Sequence, residues 1–306
     1  MYLEKRKTGK QTKYYLVHSY REKDKVKKIR KYLGVNLSDE ELKKRRKYAE
    51  EFILKIIEEY NTDIFNFKLT KKQIERLNEY NKQIKIHHLS DKDWKIFTEE
   101  FVYNTNAIEG SGVELEEVKV LIEEKKGAKY SDEIETQNVA RAVKFIRTTK
   151  EDLSLELIKR IHKICFDGTK EYAGKFRDVG VVVTNSRGEI VHSGAPVSKL
   201  NQFLGDLIKW YNKNKIKFKP LILAGIIHNQ FEEIHPFQDG NGRVGRLLLN
   251  FILLRNKYPP INILLQNRGE YYETLQKYSK ENDLKPTIKF FIKQYKKTLK
   301  SIAKKR

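Results

Sequence analysis

Two apolar helical stretches, Leu221 to Ile234 and Leu247 to Leu254, stand on either side of a run of polar residues and glycines. In the first, Leu221, Ala224, Gly225, His228, Phe231 and Ile234 recur with a helical period that stops just before Pro236, and the second is almost wholly apolar. Neither approaches the ~20 apolar residues needed to span a bilayer, so both read as core helices. The chain between them must turn sharply, which explains glycine at 240 and 242. The second helix then opens with backbone N–H groups that have no intrahelical partner, and such an end binds anions.

The connecting run, His235-Pro-Phe-Gln-Asp-Gly-Asn-Gly-Arg-Val-Gly-Arg246, carries the groups that phosphate-transfer chemistry needs. His235, with an ordinary pKa of ~6.5, can take a proton from an attacking hydroxyl near neutral pH. Asp239 is a hard oxygen ligand suited to Mg²⁺, which accepts one or two carboxylates together with substrate phosphates. Asn241 and the N–H groups around Gly240 and Gly242 are expected to form an anion cradle. Arg243 and Arg246, at i and i+3, are expected to face one phosphate chain. Phe237 reads as a packing residue. The same run contains Gly240-Asn-Gly-Arg-Val-Gly245, a G-x-G-x-x-G pattern, but a helical pattern precedes it where a dinucleotide site would need a strand.

The run resembles the H-P-F-x-D-G-N-G-R-x-x-R motif of Fic-domain proteins, a family that typically transfers AMP from ATP to a target hydroxyl, and every fixed position matches. The resemblance implies His235 as the base, Asp239 as the metal ligand, an anion hole at 240–242 and Arg243 and Arg246 for the triphosphate. Relatives that transfer a phosphate carry Lys where this chain has Gly242.

A second constellation lies far upstream. Trp94, Phe97, Phe101, Thr105 and Ile108 recur at helical spacing behind Ser90, a cap candidate, and Gly110 supplies a stop, so a helix is expected near 91–110. Thr105-Asn-Ala-Ile-Glu-Gly110 is similar to the [S/T]-x-x-x-E-[G/N] inhibitory motif of Fic proteins, which implies that Glu109 pairs with Arg246 and blocks productive docking of the γ-phosphate. Two further segments extend the likeness, so that it runs from about Phe101 to about Tyr295. Val181, Val182, Val183 and Ile190, Val191, His192, joined by a turn at Arg187-Gly188, read as a β-hairpin. It resembles the family's flap, which docks the target segment by strand addition. Arg268-Gly-Glu-Tyr-Tyr-Glu-Thr-Leu275 resembles the segment near the adenine, with Tyr271 as the stacking candidate and Tyr272 assigned to the core. Ser279 stands where some relatives place an Asn.

The first hundred residues fall mostly outside the likeness. Lys13 to Tyr20 and Lys25 to Tyr32 look like two strands rich in basic and aromatic residues. Ser38-Asp-Glu-Glu41 resembles a capping box opening an amphipathic helix to about Tyr60, Asn61 to Phe67 is the expected joint, and Thr70 to Gln73 opens another helix. The 306 residues are therefore divided into a basic hairpin and helix module at 1–66 and a Fic-type catalytic domain at 67–306, giving a mainly α fold with a β-hairpin flap. A single cysteine, Cys165, excludes an internal disulfide, and no zinc-ligand spacing occurs among the seven histidines. The net charge of +22 is read chiefly as Lys interleaved with Glu on helix surfaces, as from Glu114 to Lys126.

Together these readings imply a cytoplasmic adenylyltransferase that uses ATP and Mg²⁺, modifies a Ser, Thr or Tyr hydroxyl of a target protein, and is autoinhibited through Glu109. Self-modification and homo-oligomers are compatible with it, and no membrane partner is expected. Two alternatives remain open: hydrolytic removal of AMP with Glu109 positioning water, and a nucleic-acid-binding regulator in which the nucleotide site only senses.

Overall fold

The computed structural model describes residues 1–9, 11–22, 25–60, 69–84, 86, 88–123, 127–184 and 190–305. The chain forms two compact units, Met1–Gln73 and Ile74–Arg306. The expected joint from Asn61 to Phe67 lies outside the described residues, as does the expected turn at Arg187-Gly188.

In the first unit, strands β1 (Tyr2–Thr8), β2 (Gln11–Glu22) and β3 (Lys25–Val35) form an antiparallel sheet in the order β1-β2-β3. The sequence suggested β2 and β3 as a hairpin; β1 adds a third strand, with Leu3 opposite Leu16 and Arg6 opposite Lys13. Its basic, nearly continuous polar run hid the alternation that marks a half-buried strand. Helix α1 (Asp39–Tyr60) follows Ser38, whose hydroxyl and N–H both bond the Glu41 carboxylate in the expected capping arrangement. Leu16, Leu33, Ala49 and Ile53 form a small core between sheet and helix.

The second unit is helical around α8 (Pro220–Ile234) and α9 (Asn241–Arg255), which pack on one another as their apolar sequences require. Helix α2 (Lys71–Glu79), opened by Thr70, spans the boundary between the units and leads into a 3₁₀ turn at Tyr80–Gln83. Next come α3 (Asp91–Ile108), α4 (Leu115–Glu123), α5 (Ser131–Thr148) and α6 (Leu155–Phe166). Strands β4 (Val182–Thr184) and β5 (Ile190–Ser193) form a two-stranded antiparallel sheet, and α7 (Val197–Asn214), α10 (Arg268–Glu281) and α11 (Lys285–Lys305) complete the unit. Helices α3, α5 and α6 pack on α9, whereas α7, α10 and α11 pack on α8. The loop joining the two central helices is thereby reached from both flanks. Among the described residues no helix is long and apolar enough to cross a membrane.

Candidate active site

The loop between α8 and α9 holds its shape through backbone geometry and one side chain. His235 ends α8 in the left-handed region with φ 50, and Gly240 opens α9 with φ 81. A Cβ on Gly240 would also fall 2.2 Å from the Phe166 ring, so glycine is required there twice over. Asn241 is buried, and its amide accepts from Phe237 N–H at 2.8 Å and donates to Phe237 O at 2.8 Å. The side chain that the sequence suggested as part of an anion cradle is thus occupied in bracing the loop. The backbone N–H groups of Asn241, Gly242 and Arg243 precede the first helical bond of α9, from Val244 N–H to Gly240 O, and such groups at a helix start can serve an anion.

His235 sits at the loop's entrance, half-buried, with Nδ1 3.3 Å from Glu232 O. A carbonyl can only accept, so Nδ1 carries the proton and Nε2 keeps its lone pair. Burial, then the neighbouring His192, push the His235 pKa down to about 4, so the imidazole is neutral at physiological pH. Asp239 is half-exposed; its Oδ1 accepts from Gly240 N–H at 2.6 Å, and its Oδ2 lies 3.4 Å from Lys170 Nζ. No group of three or more His, Cys, Asp or Glu residues that could hold a metal ion occurs among the described residues. Asp239 alone would therefore hold Mg²⁺, a single-carboxylate arrangement that this ion tolerates when phosphates and water complete its shell.

The two arginines diverge. Arg246 is buried, donating from Nε to Thr105 Oγ1 at 2.7 Å and from a terminal nitrogen to Thr105 O at 2.9 Å and Glu109 Oε1 at 2.7 Å. Burial opposes its charge, but Glu109 and other neighbours outweigh that and hold its pKa above the usual arginine range. Arg243 instead pairs with Glu135 of α5 and lies over the Phe166 ring at 4.4 Å. At the start of a helix, i and i+3 differ by about 60° in azimuth, and here one side chain reaches α3 and the other α5, with Arg243 also 3.9 Å from Asp239 Oδ2. Glu109 itself caps the C-terminus of α3, which Gly110 ends with φ 97, and a Cβ on Gly242 would meet Glu109 Oε1 at 2.4 Å.

These groups surround a cavity of about 750 Å³, walled by His235, Asp239, Gly242, Arg246 and Glu109, by Val182, Val183 and His192 of the β4–β5 sheet, and by Arg268 and Tyr272 of α10. The volume suits a nucleotide-sized ligand. Residues 152–253 match the family model of the Fic/DOC family. Protein adenylyltransferase Fic of Nematostella vectensis is 30% identical over 198 residues, covering 62% of this chain and 45% of that protein. Protein adenylyltransferase Fic of Aedes aegypti is 30% identical over 237 residues, covering 72% of this chain and 46% of that protein. The chain is a Fic-domain protein. It spans less than half the length of these two curated relatives. A crystal structure of a Fic-domain-containing signalling protein from Bacteroides thetaiotaomicron aligns with a TM-score of 0.64 at 25% identity, covering 75% of this chain and 96% of that one.

The Fic domain's remaining walls differ from expectation in detail. Tyr271, the stacking candidate, is buried, and its hydroxyl lies 2.9 Å from His228 Nε2. Tyr272, assigned to the core, is half-buried with the Arg268 guanidinium 5.4 Å from its ring. Helix α10 packs on both α8 and α11, and both tyrosines line the cavity, Tyr271 with its hydroxyl turned toward α8. In the flap, Val183 pairs with His192 and Val182 with Ser193, while Val181 lies just before β4. His192 and His235 rings are 5.8 Å apart, so the β4–β5 sheet reaches the loop between α8 and α9.

Three supporting residues of the Fic domain went unassigned in the sequence. Arg177 is buried and donates to His235 O at 2.7 Å, Val179 O at 2.8 Å and Ala195 O at 2.5 Å, tying the flap's base to the loop. His162 stacks on Phe237 at 3.8 Å, accepts from Gly174 N–H at Nδ1, and so donates from Nε2 to Asp239 O at 3.1 Å. Its pKa falls to about 4 because it is buried. Glu232, one turn before His235, has a buried Oε1 with no hydrogen bond among the described residues, and burial pushes its carboxyl up to about 8 even though Arg246 opposes the shift. Only the His162 position on the apolar face of α6 could have signalled a structural role in advance.

Proposed function

We propose that this chain transfers AMP from ATP to a hydroxyl of a target protein, and that Glu109 restrains the reaction by pairing with Arg246. The observation that carries the reading is the buried Arg246, held by Thr105 and Glu109 on a wall of the same cavity that His235 enters. A guanidinium with so little exposed surface can accept a phosphate only if its present carboxylate partner leaves.

In the reaction, His235 Nε2 takes the proton of the incoming Ser, Thr or Tyr hydroxyl as its oxygen bonds to the α-phosphorus. The bond from that phosphorus to the bridging oxygen breaks, and pyrophosphate leaves. The N–H groups of Asn241, Gly242 and Arg243 lie where charge grows on the transferring phosphate, and such preorganised donors stabilise the transition state. Arg246, once free of Glu109, binds the terminal phosphates; Arg243 keeps Glu135 and acts on the loop's shape. Asp239 would hold Mg²⁺, which supplies charge neutralisation when bound. The flap strand β4, with Val182 exposed, offers an edge for the target backbone.

The test is labelling with α-labelled ATP and Mg²⁺, in cell extract, of wild type, Glu109→Gly and Glu109→Gly/His235→Ala. Label should rise in Glu109→Gly by about 5- to 150-fold and fall by about 10² to 10⁴ in the double variant. Measurable ATP binding with no label from any variant would overturn transfer, and loss of AMP from a modified target only in proteins that keep Glu109 would point to hydrolysis instead.

A further inference from the structure

One face of the N-terminal sheet packs on α1 and the other turns away from it. Residues alternate across a strand, and Leu3, Leu16, Ile29 and Leu33 belong to the α1 side, where they join the small core. The opposite face is built otherwise. Its register sets Arg6 opposite Lys13, Tyr15 opposite Tyr32, and Arg30 opposite Val17. Tyr2 is 44% exposed and Tyr32 51%, whereas Val17 at the middle is covered. The rings of Tyr15 and Tyr32 are 5.3 Å apart, and the Arg6 guanidinium lies 5.3 Å from the Tyr15 ring.

Charge on this face is unbalanced. Among the described residues, Arg6, Lys13, Lys28 and Arg30 share it with a single carboxylate, Glu4, which accepts from Arg6 Nε at 2.6 Å and from Arg30 Nε at 3.1 Å. Both bonds use Nε, so the terminal amino groups of the two guanidiniums remain as donors, and Glu4 holds both side chains across the sheet. An acidic peptide would satisfy the cations and leave the rings without a matching partner. A strand of nucleotides satisfies both, because every base has a π-face and every link a phosphate. A duplex hides its base faces in the stack, which favours a single strand.

We propose that this face of the N-terminal sheet binds single-stranded nucleic acid, with Tyr2, Tyr15 and Tyr32 stacking on bases and the four cations taking phosphates. The site belongs to the first unit alone and stands whether or not the second unit transfers AMP. The full chain is titrated by fluorescence anisotropy into labelled oligothymidylate and oligouridylate of about 16 nucleotides, and into a duplex of the same length, over a range of salt. Four phosphate contacts on a single strand give a slope of log K against log salt of about −3. Arg30→Glu and Tyr32→Ala should each weaken single-strand binding about tenfold, while Tyr32→Phe, which keeps the ring, retains it. Lys209→Glu, the same charge reversal at an 83% exposed side chain on α7, should cost less than about twofold. Equal losses from Lys209→Glu and Arg30→Glu would mean diffuse attraction to a basic chain, and tighter duplex binding, an inert Tyr32→Ala or no binding at all would equally overturn the proposal.

Discussion

Arg243 and Arg246 leave the first turns of α9 three residues apart, and each is closed off by one glutamate, but the two glutamates are held differently. Glu135 lies inside α5 with a side chain 9% exposed, against an Arg243 side chain 8% exposed and backed by the Phe166 ring. Glu109 caps the end of α3 with a side chain 29% exposed, against an Arg246 side chain 2% exposed. A carboxylate inside a helix and out of water cannot leave its partner without moving backbone. One at a frayable helix end, on the wall of a cavity, needs only rotate. The same ion pair therefore braces the fold on one side of α9 and is built for release on the other, as the proposed block requires, and burial of the acid separates the two.

The largest expected effect breaks the comparison at its rigid side. Glu135→Ala leaves a buried Arg243 with only the Asp239 carboxylate, 3.9 Å away, and should cost up to about 3–5 kcal/mol of stability. Glu109→Ala also orphans a buried arginine, but Thr105 keeps two of its bonds and water from the cavity can take the place of a 29% exposed carboxylate, so it should cost less. Urea denaturation reads both as shifts in midpoint at constant slope; equal shifts would show that the two pairs are equivalent after all.

A smaller effect sharpens the releasable side. Because a Cβ at position 242 would meet Glu109 Oε1 at 2.4 Å, Gly242→Ala must displace the carboxylate from Arg246. The obstacle is the far end of a flexible side chain, so the fold should tolerate it. AMP transfer should rise toward the level of Glu109→Gly, by about 5- to 150-fold, and the same substitution should add nothing when Glu109 is already Gly. Activation that persists in the Glu109→Gly background would assign the effect to the phosphate loop itself.

How far the sequence reached follows the same division. Residues whose role is set by local backbone were legible: the glycine turn, the Ser90 cap and Gly110 stop of α3, and His235 at the end of an apolar helix. Glu109 and Arg246, 137 residues apart, were paired only through the likeness to Fic motifs, since nothing in their spacing brings them together. Roles set by the direction of a side chain in the packed core were not legible. Helical spacing put Arg243 beside Arg246, but it could not reveal that Glu135 and Phe166 wait on the other flank, nor that the Tyr271 hydroxyl turns toward α8. Arg177 was hidden for a related reason, because its partners are carbonyl oxygens, which every residue has.

The smallest effect concerns how far each glutamate's charge reaches. Glu109 raises the His235 pKa against the stronger lowering by burial, whereas Glu135 is paired with Arg243 on the α5 side. The base must be neutral to work, so transfer is fully present above the His235 pKa and is lost as pH falls through it. With that pKa near 4, Glu109→Gly should keep its pH 7 rate within about twofold at pH 5.5, where an ordinary histidine of ~6.5 would have lost about tenfold. Adding Glu135→Gln should leave the acid limb in place even as stability falls, because that carboxylate is engaged with Arg243. An acid limb near pH 6.5 in the Glu109→Gly rate profile would mean that water reaches His235 once Glu109 is gone, and that the glutamate closes the base off from solvent as well as holding the arginine.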